Sequence, residues 1–112
     1  MTDLEEQALH LILTEYYVER KGWTIQHHPV NQSKFMGEDG VCEGYAPDLT
    51  NRDFLWELVE MLNIQHIIID PTAEGTWACG ISVDGREWFK AIAKTIELAL
   101  AQCLGKLIKE QP

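Results

Sequence analysis

Thr76-Trp77-Ala78-Cys79-Gly80-Ile81-Ser82-Val83-Asp84-Gly85-Arg86-Glu87-Trp88-Phe89-Lys90-Ala91-Ile92 is the stretch whose reading decides the fold. Its first half alternates, with Trp77, Cys79, Ile81 and Val83 on one side and Thr76, Ala78, Gly80 and Ser82 on the other, the period of a strand with one dominant apolar face. Asp84-Gly85 follows, and a type I′ turn, which needs positive φ at both central residues, tolerates that pair. The pattern predicts a tight hairpin with a return strand over 86–92. Upstream, His66-Ile67-Ile68-Ile69-Asp70 is a compact β-branched run stopped by Pro71 and Gly75, a further strand buried on at least one face. Three strands with no helix between them make an antiparallel meander, not a parallel doubly wound sheet.

Helical signals flank this sheet. Thr2 with Glu5 three residues later forms a capping box, and Asp3, Glu5 and Glu6 suit the positive end of a helix dipole. A helix over 3–20 follows, its stripe formed by Leu4, Ala8, Leu11, Ile12 and Val18 and widened by Leu9, Leu13, Tyr16 and Tyr17. Gly22, after Arg20 and Lys21, is the expected stop. A second helix begins at Thr50 or Asn51, with Phe54, Leu55, Leu58, Val59 and Leu62 as its buried face, and ends near Asn63. The last runs from Thr95 to Lys109 with Ile96, Leu100, Cys103, Leu104 and Leu107 facing inward. Between the first two helices, Trp23 to His28 reads as a short strand and Val30 to Thr50 as one long irregular segment, rich in glycine and carboxylates. The expected fold is α+β, a small antiparallel meander of about three strands covered by about three helices, in the order helix, loop with a short strand, helix, three strands, helix.

At 112 residues the chain is expected to be a single domain over 1–112. Its net charge of −9 comes from 18 acidic and 9 basic side chains, and both halves carry the excess. A field of that sign repels phosphates and anionic lipid, so neither direct nucleic acid binding nor membrane association is expected. The acidic N-terminus differs from the basic start of a signal peptide, and no apolar run approaches the roughly 18 residues that span a bilayer. Cys42, Cys79 and Cys103 are odd in number and far apart, which argues against a disulfide framework. Together these features predict a cytoplasmic protein.

No motif carries a recognised chemistry. Neither a G-x-G-x-x-G nor a Walker A spacing occurs, and neither Ser33 nor Ser82 lies in a G-x-S-x-G elbow. Cys79 and Cys103 fall on apolar faces and are expected in the core. The adjacent His27 and His28 would point to opposite faces of an extended strand and make a poor ligand pair. The carboxylates Glu38, Asp39, Glu43 and Asp48 lack the alternating ladder of a calcium loop. No catalytic residue, cofactor or metal is therefore expected, although a small metal-dependent enzyme using His27 or His28 with the acidic loop is the alternative from another class. Trp56 and Trp77 fit core positions. Trp88 alternates with Phe89, so only one of the two shares the face lined by Trp77, and an exposed aromatic there would mark a contact surface.

Gly22-Trp23 after the first helix, the run Tyr45-Ala46-Pro47-Asp48-Leu49-Thr50 leading to Trp56, Val59, Glu60 and Leu62, and the alanine-rich Ala93 to Leu104 together resemble the phage ABA-sandwich domain family. The likeness covers about two thirds of the chain. It departs at Pro47-Asp48-Leu49-Thr50, where the family has a Pro-Tyr-Ser-Thr-Asp type run, and in His27 to Glu43, which has no clear counterpart. The resemblance implies a helix–sheet–helix sandwich and no catalytic residues. It also implies a phage or prophage accessory protein that binds and inhibits a host protein, for example in an anti-defence role. The residues expected to meet such a partner, one with a basic surface, are Glu38, Asp39, Glu43, Asp48 and Trp88. A homodimer or homo-oligomeric structural component is the remaining alternative.

Overall fold

In the computed structural model, which describes residues 2–111, helix α1 spans Asp3–Lys21. The capping box is complete: Glu5 N–H donates to Thr2 Oγ1 and Thr2 N–H to Glu5 Oε1, both at 3.2 Å. At the other end Gly22 takes the left-handed conformation, φ 74°. Its N–H donates to the Glu19 carbonyl, and Trp23 N–H reaches back to Val18 at 2.8 Å, a pairing that uses carbonyls the helix leaves open. The buried face is Leu9, Leu13, Tyr16, Tyr17 and Val18. Leu4 and Leu11, expected in the stripe, are exposed, Leu4 at 77%. The helix thus presents the aromatic side of its apolar surface to the core.

The chain divides into two compact units, Met1–Asp48 and Leu49–Pro112. In the first, α1 packs against β1 (Thr24–Gln26), which pairs with β2 (Lys34–Met36), and β2 with β3 (Cys42–Tyr45), all antiparallel. The segment read as irregular from Val30 to Thr50 therefore contains a hairpin, over 34–45. Its strands are three and four residues long, too short for an alternating pattern, and cross-strand pairing holds them in place of local propensity. Phe35 is the buried residue of β2. Its ring lies 5.4 Å from Tyr17 and 6.2 Å from Trp23, which themselves meet edge-on at 6.2 Å, so one aromatic cluster joins helix, cap and sheet.

The second unit holds α2 (Arg52–Met61), β4 (His66–Pro71), β5 (Trp77–Ser82), β6 (Phe89–Ala93) and α3 (Ile96–Glu110). The cap of α2 is Asn51, whose Oδ1 accepts from Phe54 N–H at 3.0 Å; Thr95 caps α3 in the same way, accepting from Leu98 N–H at 3.2 Å. The predicted meander is present, with β5 between β4 and β6 and both pairings antiparallel. The fold is α+β, as expected, with three helices and two separate three-stranded sheets among the described residues, where one sheet was anticipated. Within the second unit α3 packs on β5 and β6, and α2 packs on α3. Arg52 and Glu97, in the first turns of the two helices, form an ion pair at 2.5 Å. Trp56, expected in the core, is 46% exposed, because Phe54, Leu55, Leu58 and Val59 occupy the inward face of α2 and leave Trp56 on the opposite side.

The hairpin between β5 and β6 differs from expectation by one residue. A two-residue turn at Asp84-Gly85 would set Ile81 opposite Trp88; in the structure Ile81 pairs with Phe89, Cys79 with Ala91 and Trp77 with Ala93. Gly85 has φ 80°, but Asp84 is not in the left-handed region that a type I′ turn requires. Its carboxylate instead accepts from the N–H groups of Arg86 at 2.8 Å and Glu87 at 3.0 Å, and this side-chain turn takes up one more residue before the chain returns. In a pleated strand a slip of one residue exchanges the two faces. Ala91 and Ala93 consequently turn inward and are buried, whereas Trp88, Lys90 and Ile92 share the other face and Ile92 is 63% exposed.

Substitutions on β6 read out this register. Ile92→Ser is expected to change unfolding free energy by no more than about 0.5 kcal/mol, and Ala91→Asp to cost more than about 3 kcal/mol by burying an unpaired charge. The register of a two-residue turn requires the reverse order, so denaturant titration of the two variants decides between them.

Candidate functional site

The carboxylates singled out in the sequence occupy the β2–β3 hairpin. Residues 37–41 form its turn, closed by Gly40 N–H to the Gly37 carbonyl at 3.0 Å and by Gly37 N–H to Val41 at 2.9 Å. Glu38 and Asp39 sit exposed at this tip, and Asp39 Oδ1 accepts from Val41 N–H at 3.2 Å. Across the hairpin the register shifts, since Phe35 pairs with Gly44 and Met36 with Cys42, so that Glu43 is the extra residue of a bulge. The bulge directs the Glu43 carboxylate over Gly37: a Cβ there would lie 2.8 Å from Glu43 Oε1 and 3.2 Å from Asp39 Oδ1. Two carboxylates thus converge on one bare Cα, and among the described residues no ion pair reaches Glu38, Asp39 or Glu43. Asp48 lies beyond β3, past Pro47, whose carbonyl accepts from His10 Nε2–H at 2.6 Å. It is exposed but not part of the hairpin tip.

His27 and His28 follow β1. The Nδ1 of His28 accepts from the N–H groups of Val30 at 3.2 Å and Asn31 at 3.0 Å, which makes it the cap of a local turn. Among the described residues no three His, Cys, Asp or Glu side chains converge as a metal centre would require. Cys79 and Cys103 are buried, as their apolar positions suggested, and Cys42 is exposed. Cys103 Sγ–H donates to the Cys79 carbonyl at 3.3 Å, and its contact with Cys79 together with burial pushes its pKa up, so it stays a protonated core thiol.

Trp88, the remaining predicted residue, belongs to the second unit. It lies half-buried on the face of the β4–β5–β6 sheet that α3 leaves open, its ring 3.4 Å from the position of a Cβ on Gly80 and 6.1 Å from the ring of His66. Its indole N–H donates to the Gly85 carbonyl at 3.3 Å. Ala78 and Gly80 form the floor of this face, which carries a groove of about 550 Å³ walled by Ile68 and Asp70 on β4 and by Lys90 and Ile92 on β6. The sequence reading missed those four residues, because it left open which of Trp88 and Phe89 shares the face of Trp77, and because the pairings that set Ile68 and Asp70 across from Lys90 and Ile92 are non-local. The signal available was the pair Ala78 and Gly80 at alternate positions of the central strand, which leaves a trough between larger neighbours.

No described helix is long and apolar enough to cross a membrane. Comparison with known proteins finds no matching family model, no matching curated protein and no matching solved structure.

The turn that positions Trp88 is pH-sensitive in a defined direction. The amide N–H groups of Arg86 and Glu87 hold the Asp84 carboxyl below the usual aspartate range. A lowered folded pKa stabilises the native state fully above the unfolded value of about 3.9, and that contribution is lost as the pH falls through the folded value. Asp84→Asn keeps an accepting oxygen without the charge. Its melting temperature is expected to fall less steeply than that of the parent chain between about pH 5 and pH 2.5, measured by thermal scans at each pH.

Proposed function

We propose that this chain is a non-catalytic protein-interaction domain that presents the β2–β3 hairpin to a basic surface on a partner protein. The observation that supports this reading is the convergence of Glu43 and Asp39 over Gly37 beside the exposed Glu38, like charges held together by a turn and a bulge with no ion-pair partner among the described residues. Such an arrangement carries a standing electrostatic cost that a cationic partner relieves on contact, and it steers association at long range. Residues 1–48 hold nine acidic side chains against three basic ones, so the surrounding charge reinforces the local cluster. The resemblance to small phage proteins adds a context in which the partner is a host protein and binding inhibits it, within the cytoplasm.

Affinity capture from host lysates with the full chain and with the triple variant Glu38→Lys, Asp39→Lys, Glu43→Lys tests this. The parent chain is expected to retain a stoichiometric basic protein at about 0.05 M salt and to lose at least tenfold of it at about 0.5 M, and the triple variant to retain none. Capture that is indifferent to both salt and charge reversal overturns the reading.

A further inference from the structure

We propose that the open face of the β4–β5–β6 sheet is a homodimer interface, covered by the same face of a second copy of this chain. This surface is distinct from the acidic hairpin, and the proposal does not depend on what the hairpin binds.

The argument starts from the register. Asp70 pairs with Ala78 and Ala78 with Ile92; Ile68 pairs with Gly80 and Gly80 with Lys90. Four outward side chains therefore stand at the corners of a rectangle whose centre is floored by Ala78 and Gly80, with the Trp88 ring lying over Gly80. Asp70 and Lys90 occupy one diagonal, Ile68 and Ile92 the other. Ile68 is 51% exposed and Ile92 63%, an apolar exposure that a sheet with one face covered by a helix does not need for its own stability.

The pattern is complementary to itself. Consider a two-fold axis lying in the interface, perpendicular to the Asp70–Lys90 diagonal. It sets Asp70 of each copy against Lys90 of the other, twice per dimer, and brings Ile68 near Ile68 and Ile92 near Ile92, the isologous contact that closed two-fold dimers require. With ideal strand spacings the two sets of strands then cross at roughly 70°, toward the orthogonal class of sheet packing. The trough above Ala78 gives the opposing Ile92 room to enter, and the Trp88 ring over Gly80 offers the opposing Ile68 an apolar surface.

Charge selects this occupant over a basic protein. Across the paired positions the face carries one carboxylate and one ammonium, so it has no net charge to attract a cationic partner, in contrast to the hairpin. The size of the face sets the strength: three strands of about six residues give a footprint of about 300 Å² per copy, well below a standard interface, so the dimer should be weak and reversible.

Sedimentation velocity on the full chain, from about 10 to 500 µM in about 0.15 M salt, is the test, applied to the parent, Asp70→Lys, Lys90→Asp and the double swap. The parent is expected to show a monomer–dimer equilibrium with a dissociation constant in the tens to hundreds of micromolar, with a blue shift of tryptophan emission as Trp88 is covered. Each single swap places like charges together at two symmetry-related points and should weaken association at least tenfold; the double swap should restore it to within about threefold. Asp70 and Lys90 are exposed, and circular dichroism of the single variants establishes that they fold. A parent chain that stays monomeric to the highest concentration overturns the proposal. So does a dimer indifferent to the single swaps, or one that the double swap fails to rescue.

Discussion

The pairing of β6 with β5 is the constraint from which the second unit follows. Ser82 Oγ, fully buried, accepts from Gly85 N–H at 2.8 Å and donates to Asp84 Oδ1 at 3.3 Å, while Asp84 collects two further amides, so the connection is tied at its base before β6 begins. The apolar pattern pulls the same way. In the alternative pairing an ammonium, Lys90, would face α3 where Ala91 now sits, and burying that charge without a partner is far more costly than leaving Ile92 in water. With alanines at 91 and 93, the helix approaches the sheet closely enough for the Cys103 thiol to reach a β5 carbonyl.

The first unit depends on a different device. The left-handed residue at Gly22 ends α1 and turns Trp23 back onto the last helical turn, where its ring meets Tyr17; Phe35, delivered by β2, packs against both. A sheet of three strands of three or four residues has little apolar surface, and these three rings pack it against the end of the helix. Lys21 lies over the rings of Tyr17 and Trp23, 5.5 and 5.7 Å from their centroids, so the basic end of the helix also covers the cluster.

Elements governed by short-range chemistry were legible in the sequence. The caps at Thr2, Asn51 and Thr95 and the stop at Gly22 each need only a side chain and a neighbouring backbone group, and each lies where the residue types pointed. The strands β2 and β3 were not legible, because Lys34-Phe35-Met36 and Cys42 to Tyr45 carry no periodicity and become strands only through each other. Asp84-Gly85 was misread for a related reason: the dipeptide favours positive φ, but an aspartate can also cap amides further along, and which of the two happens depends on what β6 must bury. Of the candidate site, Glu38, Asp39 and Glu43 were found from composition alone. The bulge that brings Glu43 over Gly37, and the outward set Ile68, Asp70, Lys90 and Ile92, required the registers that only pairing reveals.

The three thiols also make the molecule a reporter of its own opening. Cys42 stands in solvent on the first unit, whereas Cys79 and Cys103 lie sealed between α3 and the sheet of the second. An alkylating reagent therefore meets one site in the closed chain and gains the other two only when α3 lifts away. The ratio of slow to fast modification then measures local opening of the second unit, with Cys42 as an internal clock for the reagent.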